Sequence, residues 1–310
     1  PDSSHEELYS AFVQDRVQLT KDILYFTVGS KVEHNAYTGF EYQPSGRLIW
    51  TPDKQNAFWA AVSRAVRTPS RAENDLRFVM NVAPPPDPMG TQMTTYYVLD
   101  RSRDLSSEKI MAYELGYRMQ PARTFSVDLA LFYHQYNDII TFAQEPPTVE
   151  SDGSTAPHLT VPIQWVNDAD AATYGAELAC KWQALDFWAL QASYTYTGTD
   201  NSKFYEDDGG SAEDPLNRAT LSSHLSLPGA VELDAYLYFV DDNPGLAIHS
   251  FLRGDLRLGW RPTKNAEISL VGQNLFDNRH REDAETQAGL LSSSGTEIPQ
   301  SFYGKFAVWF

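Results

Sequence analysis

An all-β fold, the wall of an antiparallel transmembrane β-barrel, is predicted by three features of the chain. Apolar and polar residues alternate with a period of two along nearly its whole length. The connections between these stretches are by turns short and long. Trp50, Trp59, Trp182, Trp188, Trp260 and Trp309 all lie within a few residues of a short connection or of the last residue, and only Trp165 does not. An amphipathic helix repeats every 3.6 residues and cannot produce the first feature. A soluble meander has no reason to sort its loops by length. A barrel in an outer membrane does, with short turns on one side and long loops on the other.

Strands are expected near 8–20 and 23–36, joined by "TKD", and near 45–51 after a longer connection at 37–44. "TPDKQNA" leads into 58–67, and the long connection 68–107 leads into 108–119. "QPAR" joins that strand to 124–140. There "TFSVDLALFYHQY" sets Val127, Leu129, Leu131 and Tyr133 against Ser126, Asp128, Ala130 and His134. After the long connection 141–162 comes 163–183, where Tyr174, Leu178, Cys180 and Trp182 oppose Glu177 and Lys181. "ALD" joins it to 187–199, and 200–216 is long again. Strands 217–227 and 230–240 flank "PGA"; in the second, Val231, Leu233, Ala235, Leu237 and Phe239 alternate with Glu232, Asp234, Tyr236 and Tyr238. Beyond 241–249, strand 250–260 sets Leu252, Leu256, Leu258 and Trp260 against Arg253, Asp255 and Arg257. "RPTKN" leads to 266–276, and the long connection 277–300 to the last strand, 301–310. The total is about thirteen strands, each of a length that crosses a bilayer when tilted.

Alternation assigns faces. Trp50, Trp182, Trp188 and Trp260 point outward, and their shared height reads as a membrane girdle, where an apolar ring and a polar N–H each find a suitable medium. Trp59 and Trp309 read as inward. In the final strand Phe306, Val308 and Phe310 form a lipid-facing row, as expected of a strand that closes a barrel and leaves no edge in hydrocarbon. The inward rows carry Glu114, Arg118, Asp128, Glu177 and Lys181, then Arg218, Glu232, Asp234, Arg253, Asp255, Arg257 and Glu267. They read as a hydrated wall whose charges pair with one another and with whatever fills the lumen. If "PGA" closes a three-residue hairpin, Leu227 faces Val231 and His224 lies opposite Asp234, both inward. An odd strand number with the last strand running toward the short-turn side puts residue 1 on the long-loop side. Single-chain bacterial barrels have an even number of strands, so the chain is expected to be the C-terminal part of a larger barrel.

Composition narrows the function. A net charge of −17 over 310 residues excludes a general nucleic-acid binder, which needs a basic face. No apolar run reaches the length of a transmembrane helix. Aromatic residues make up 13% of the chain, an excess that suits a membrane girdle. The single cysteine, Cys180, cannot form an internal disulfide. No signal peptide is visible at "PDSSHEELYS", which implies removal or a start within a longer protein. The seven histidines are scattered, and neither a catalytic set nor a cofactor motif emerges. Clustered carboxylates in 200–216, with Asp207, Asp208 and Asp214 foremost, can offer hard oxygen ligands to calcium, but their spacing is not that of an EF-hand and a solvated loop is the simpler reading. Met80, Met89 and Met93 offer soft ligands for Cu(I), while three consecutive prolines beside them favour an extended loop.

Several stretches resemble a known family. "AFWAAVSRAVRTPSRAEND", "SSEKIMAYELGYR", "FYHQYNDIITF", "YGAELACKW", "LVGQNLFDNRHRE" and "IPQSFYGKFAVWF" are similar, in order and spacing, to the barrel domain of TonB-dependent outer-membrane receptors. "GQNLFDN" at 272–278 is similar to that family's penultimate strand, and "VRTPSR" at 66–71 to the lead into one of its large extracellular loops. The resemblance implies a barrel of about 22 strands plugged by an N-terminal domain, in the outer membrane of a Gram-negative bacterium. It implies active import of a scarce nutrient such as a ferric siderophore, haem or cobalamin. It also implies three partners: the TonB complex, reached through an N-terminal region not in this sequence, outer-membrane lipid, and a nutrient–metal complex as ligand. The final aromatic strand with Phe306, Val308 and Phe310 would be read by the assembly machinery. A passive porin, or less readily an outer-membrane enzyme, are the alternatives, and a plug domain would separate receptor from porin.

Overall fold

The computed structural model describes residues 7–102, 104–151, 156–201, 217–243, 248–282, 286–288, 291–293 and 295–310. One antiparallel path of thirteen strands, each paired with the next along the chain, forms the wall. These wall strands are β1 (Tyr9–Thr20), β2 (Leu24–Asn35), β3 (Gly39–Trp50) and β4 (Asn56–Arg67). β5 (Glu108–Ala122), β6 (Phe125–Gln144), β7 (His158–Leu185) and β8 (Trp188–Asn201) follow. β9 (Asn217–Leu227), β10 (Val231–Val240), β11 (Phe251–Thr263), β12 (Ala266–Gln273) and β13 (Ser301–Val308) complete the path. Among the described residues β1 pairs only with β2 and β13 only with β12, so the sheet has two lateral edges.

The wall has an apolar and a polar face because the side-chain period of a strand is two and directly opposed residues share a face. Leu48, Leu115 and Leu131 are exposed on the apolar face, as are Leu258 and Leu270. This is the distribution of a sheet whose apolar side meets hydrocarbon rather than a core. Aromatics bound the band at both ends. Tyr42 and Trp50 in β3, Phe125 and Tyr133 in β6, and Tyr174 and Trp182 in β7 are each eight residues apart on one face. That is about 26 Å along a strand and about 20 Å after a tilt near 40°, close to the height of the apolar band of such barrels.

Three connections differ from expectation. The one at 37–44 is a tight turn, and β3 begins at Gly39. Asn35 Oδ1 accepts from the backbone N–H groups of Tyr37 and Thr38, and Gly39 takes a φ of 72°, which together reverse the chain without a long loop. The segments 68–107 and 141–162 are not plain loops. They hold a short helix, α1 (Arg71–Asp75), a hairpin of Phe78–Ala83 with Thr95–Leu99, and the strand Thr148–Glu150. β7 runs far beyond the wall, and its Leu159–Ile163 stretch pairs in parallel with Thr95–Leu99. Bulges at Asn167/Ala169 and Ala169/Ala171 bend β7 away from the wall direction, opposite Asp138 at φ 57° in β6. The result is a small sheet above the wall at the long-loop end. The apolar core lies there: Val98, Leu99, Leu105, Ile140, Leu159 and Val161 are all buried.

Candidate functional site

The helix α1 is set by sequence. Ser70 Oγ accepts from Glu73 N–H, and the Glu73 carboxylate accepts from Ser70 N–H. Burial opposes ionisation of Glu73, but the Ser70 bonds and the Arg67 guanidinium outweigh it and hold the carboxyl below its ordinary range. Arg67, the last residue of β4, bonds Glu73 at 3.0 Å and Glu108, the first residue of β5, at 2.6 Å. Glu108 also accepts from Ile140 N–H. One arginine thus ties the top of the wall to the small sheet. Asn167 adds a second tie, donating to Asp138 O and Ser106 O while accepting from Ser106 N–H.

Above these ties lies a polar cavity of about 480 Å³ lined by Arg77, Asp100, Arg101, Asp104 and Gln164. Arg77 follows α1 and reaches Asp100 at 3.4 Å. Asp100 and Arg101 follow the Thr95–Leu99 strand, and Gln164 stands on β7 next to Trp165, whose ring stacks on Phe142 at 3.8 Å between centroids. The guanidinium and amide donors, set among the Asp100 and Asp104 carboxylates, give the cavity both donors and acceptors for a polar solute. None of these residues stands out as a site in the sequence, because 68–107 reads there as one long connection and Gln164 as part of a wall strand. The period-two runs "RFVMNVA" and "TTYYVL" and the S-x-x-E spacing of Ser70 and Glu73 were the available signals.

On the polar face of the wall the expected residues fall into separate groups. Arg118 and Asp128 pair at 2.6 Å between β5 and β6, and Glu114 lies 3.9 Å from His134. Glu177 and Lys181 are exposed on β7. A denser group spans β9–β12 at the short-turn end. Leu227 opposes Val231 across the three-residue turn 228–230, and His224 Nδ1 meets Asp234 Oδ1 at 3.0 Å. Arg257 bonds Asp234 at 2.6 Å, Glu232 at 3.2 Å and Glu267 at 2.5 Å, while Arg261 bonds Glu232 and Glu267 at 3.2 Å each. Nearer the long-loop end Arg253 pairs with Asp255 at 2.8 Å and lies over the Tyr238 ring. Trp59 lies over Gly116 on this face, with the Arg47 guanidinium 4.7 Å from its ring.

On the apolar face Trp50, Trp182 and Trp260 are exposed, and Trp188 donates from its ring N–H to Ser223 Oγ at 2.9 Å. Phe306, Val308 and Phe310 are exposed, with Phe306 opposite Ile268. Asp207, Asp208 and Asp214 lie outside the described residues. Among the described residues no cluster of His, Cys, Asp and Glu is arranged to hold a metal ion.

Comparison with known proteins gives this architecture a lineage. The family model "TonB dependent receptor-like, beta-barrel" matches residues 1–275. A curated relative, the iron-regulated outer membrane virulence protein of Vibrio cholerae serotype O1, is 25% identical over 189 residues, 61% of this chain and 27% of the relative. Among solved structures, a point variant of the ferric enterobactin receptor PfeA from Pseudomonas aeruginosa, in complex with enterobactin, superposes with a TM-score of 0.75 at 19% identity, over 98% of this chain and 45% of that one. The siderophore receptor PirA from Acinetobacter baumannii gives 0.73 at 16%, over 98% and 46%. The outer membrane transporter YddB from Escherichia coli gives 0.70 at 13%, over 98% and 45%. The chain therefore spans about half the length of the structures it matches, and the aligned stretch about a quarter of the curated relative. A thirteen-strand antiparallel wall, apolar outside and charged inside, with a family match over residues 1–275, establishes that the chain belongs to the TonB-dependent receptor-like β-barrel family.

Proposed function

We propose that this chain forms the C-terminal part of the barrel of an outer-membrane receptor in a Gram-negative bacterium, one that imports a scarce nutrient as a metal complex such as a ferric siderophore. The family match carries this reading. In it the barrel has about 22 strands and an N-terminal plug, and energy reaches the plug from the TonB complex. The charged face lines the lumen and bonds the plug, with Glu177 and Lys181 exposed and Glu114 half-buried on it, and the Arg257 group holding the wall rigid. The small sheet is extracellular, and its cavity at Arg77, Arg101 and Gln164 makes first contact with the solute. The V. cholerae relative is named for iron regulation and two of the matched structures are siderophore receptors, which supports iron as the nutrient. The reading contains no enzymatic step. Growth of a deletion strain on single iron or cobalamin sources tests it: loss of growth on one ferric siderophore, restored by the full-length gene and abolished again without TonB, is expected. Growth equal to the parent on every source would overturn it.

A further inference from the structure

Several cations on the polar face of the wall are already satisfied. Arg118 pairs with Asp128, Arg253 with Asp255, and Arg257 and Arg261 with the carboxylates of β10 and β12. Arg47 is seated on the Trp59 ring. Arg123 and Lys181 are different. Among the described residues they take part in no ion pair, side-chain hydrogen bond or ring contact. Carboxylates outnumber cationic side chains 41 to 24 in this chain, so two unpaired cations on one cavity need a reason.

The register supplies it. On the polar face Lys181 of β7 is flanked by Ser126 of β6 and Gln191 of β8, and by Ala179 and Gln183 along its own strand. None of the four is charged. The carboxylate on the diagonal, Asp128 opposite Ala179, is held by Arg118 at 2.6 Å. Glu177 stands four residues along β7, about 13 Å away. Arg123 comes from the tight turn between β5 and β6, where Ala122 faces Phe125. That turn is tied to β7 by the Gln183 N–H, which donates to Thr124 O at 2.7 Å. The two cations thus line one cavity of about 320 Å³ at the short-turn end, together with Gln120, Thr124, Ser126 and Gln191. Among the described residues no aspartate or glutamate lines it.

We propose that this cavity is an oxyanion site that takes a dianionic phosphate group, free or as a small monoester. Two cations match its charge of about −2. The guanidinium offers a fork of donors and the ammonium a point charge, while the Thr124 and Ser126 hydroxyls and the Gln120 and Gln191 amides add donors from other sides. A tetrahedral group uses donors on several sides at once, whereas a planar carboxylate is served by the guanidinium fork alone. The cavity is larger than one phosphate, which leaves room for the organic part of a monoester. The binding chemistry is independent of the imported nutrient; only the placement of the site at the periplasmic rim of the lumen rests on the barrel reading.

The intact receptor carrying this segment, in mild detergent at low ionic strength and free of phosphate, is titrated calorimetrically with inorganic phosphate, glycerol 2-phosphate, succinate and sodium chloride. Heat-modifiable migration verifies that each variant is folded. Phosphate is expected to bind saturably, about tenfold more tightly than succinate, and to protect Lys181 from amine acylation as read by peptide mass spectrometry. Tighter binding of glycerol 2-phosphate assigns the site to monoesters, and tighter binding of inorganic phosphate assigns it to the free ion; either order supports it. Lys181→Gln and Arg123→Gln should each weaken phosphate roughly tenfold, and Lys181→Arg should retain most of the affinity. No saturable phosphate binding, equal affinity for succinate, or parental affinity in the folded double variant Arg123→Gln, Lys181→Gln overturns the proposal. Should the double variant not fold, the anion comparison and the protection of Lys181 decide it. Growth on ferric siderophores reads import separately, so the failure of one reading is distinguishable from the failure of the other.

Discussion

At the scale of single residues the polar face of the wall is controlled by close contacts at glycine. A Cβ at Gly116 would sit 2.0 Å from Trp59 Nε1, so the indole can lie flat on the wall only because that position has no side chain. Gly116→Val should lower barrel stability by about 1–3 kcal/mol, the usual range for overpacking. Removing the ring in Trp59→Ala should rescue Gly116→Ala, and the heat-modifiable folded fraction reads both. A second residue-scale effect depends on pH. The Thr95 hydroxyl, donating at 2.5 Å, and the Thr91 N–H hold the Asp87 carboxyl below its ordinary value of 3.8. A depressed folded-state pKa contributes stability that is present above 3.8 and lost as pH falls through the folded value. Amide protection of the Thr95–Leu99 strand should hold steady from neutral pH to just above 3.8 and fall progressively as pH drops below it, and Asp87→Asn should remove the dependence.

At the scale of elements, two charged groups act differently. Arg257 ties β10, β11 and β12 together through Glu232, Asp234 and Glu267, with about a quarter of its side chain exposed. Its removal leaves three carboxylates close together, with Arg261 beside Glu232 and Glu267 and His224 beside Asp234. Arg257→Ala should cost roughly 3 kcal/mol of folded stability, because breaking a largely buried pair strands the partner charge. Arg257→Lys should recover part of it, and urea titration of the folded fraction measures both. Arg67 is half exposed, so its pairs with Glu73 and Glu108 contribute less, on the order of 1 kcal/mol. Arg67→Ala should leave the wall intact yet speed hydrogen exchange in 70–105 roughly fivefold. Unchanged exchange there would show that the small sheet is held by its apolar core alone.

At the scale of the whole molecule the open edges of β1 and β13 matter most. Unpaired backbone groups in hydrocarbon cost several kcal/mol each, so a spanning sheet must close. These 310 residues expressed alone and added to liposomes should give no insertion or irregular leakage. Uniform single-channel conductance would instead show that thirteen strands can close by themselves and would argue for a porin-like pore.

The wall was legible in the sequence because a period of two is a local property. The residues of β6 alternate whatever they pair with, and "PGA" dictates the offset that sets His224 against Asp234. Short turns at one end and long connections at the other likewise follow from one-dimensional spacing. The small sheet at the long-loop end was not legible. Leu159–Ile163 pairs in parallel with Thr95–Leu99, more than sixty residues earlier, and no local pattern encodes that partner. The same holds for Arg77, Asp100 and Gln164, which face one cavity only because β7 bends at its bulges and α1 is pinned by Arg67. Alternation alone determined which side of the wall meets lipid. Long-range pairing, and the apolar core it encloses around Val98, Leu99 and Val161, decided which groups line the polar cavity, because a cavity needs groups brought together from distant parts of the chain.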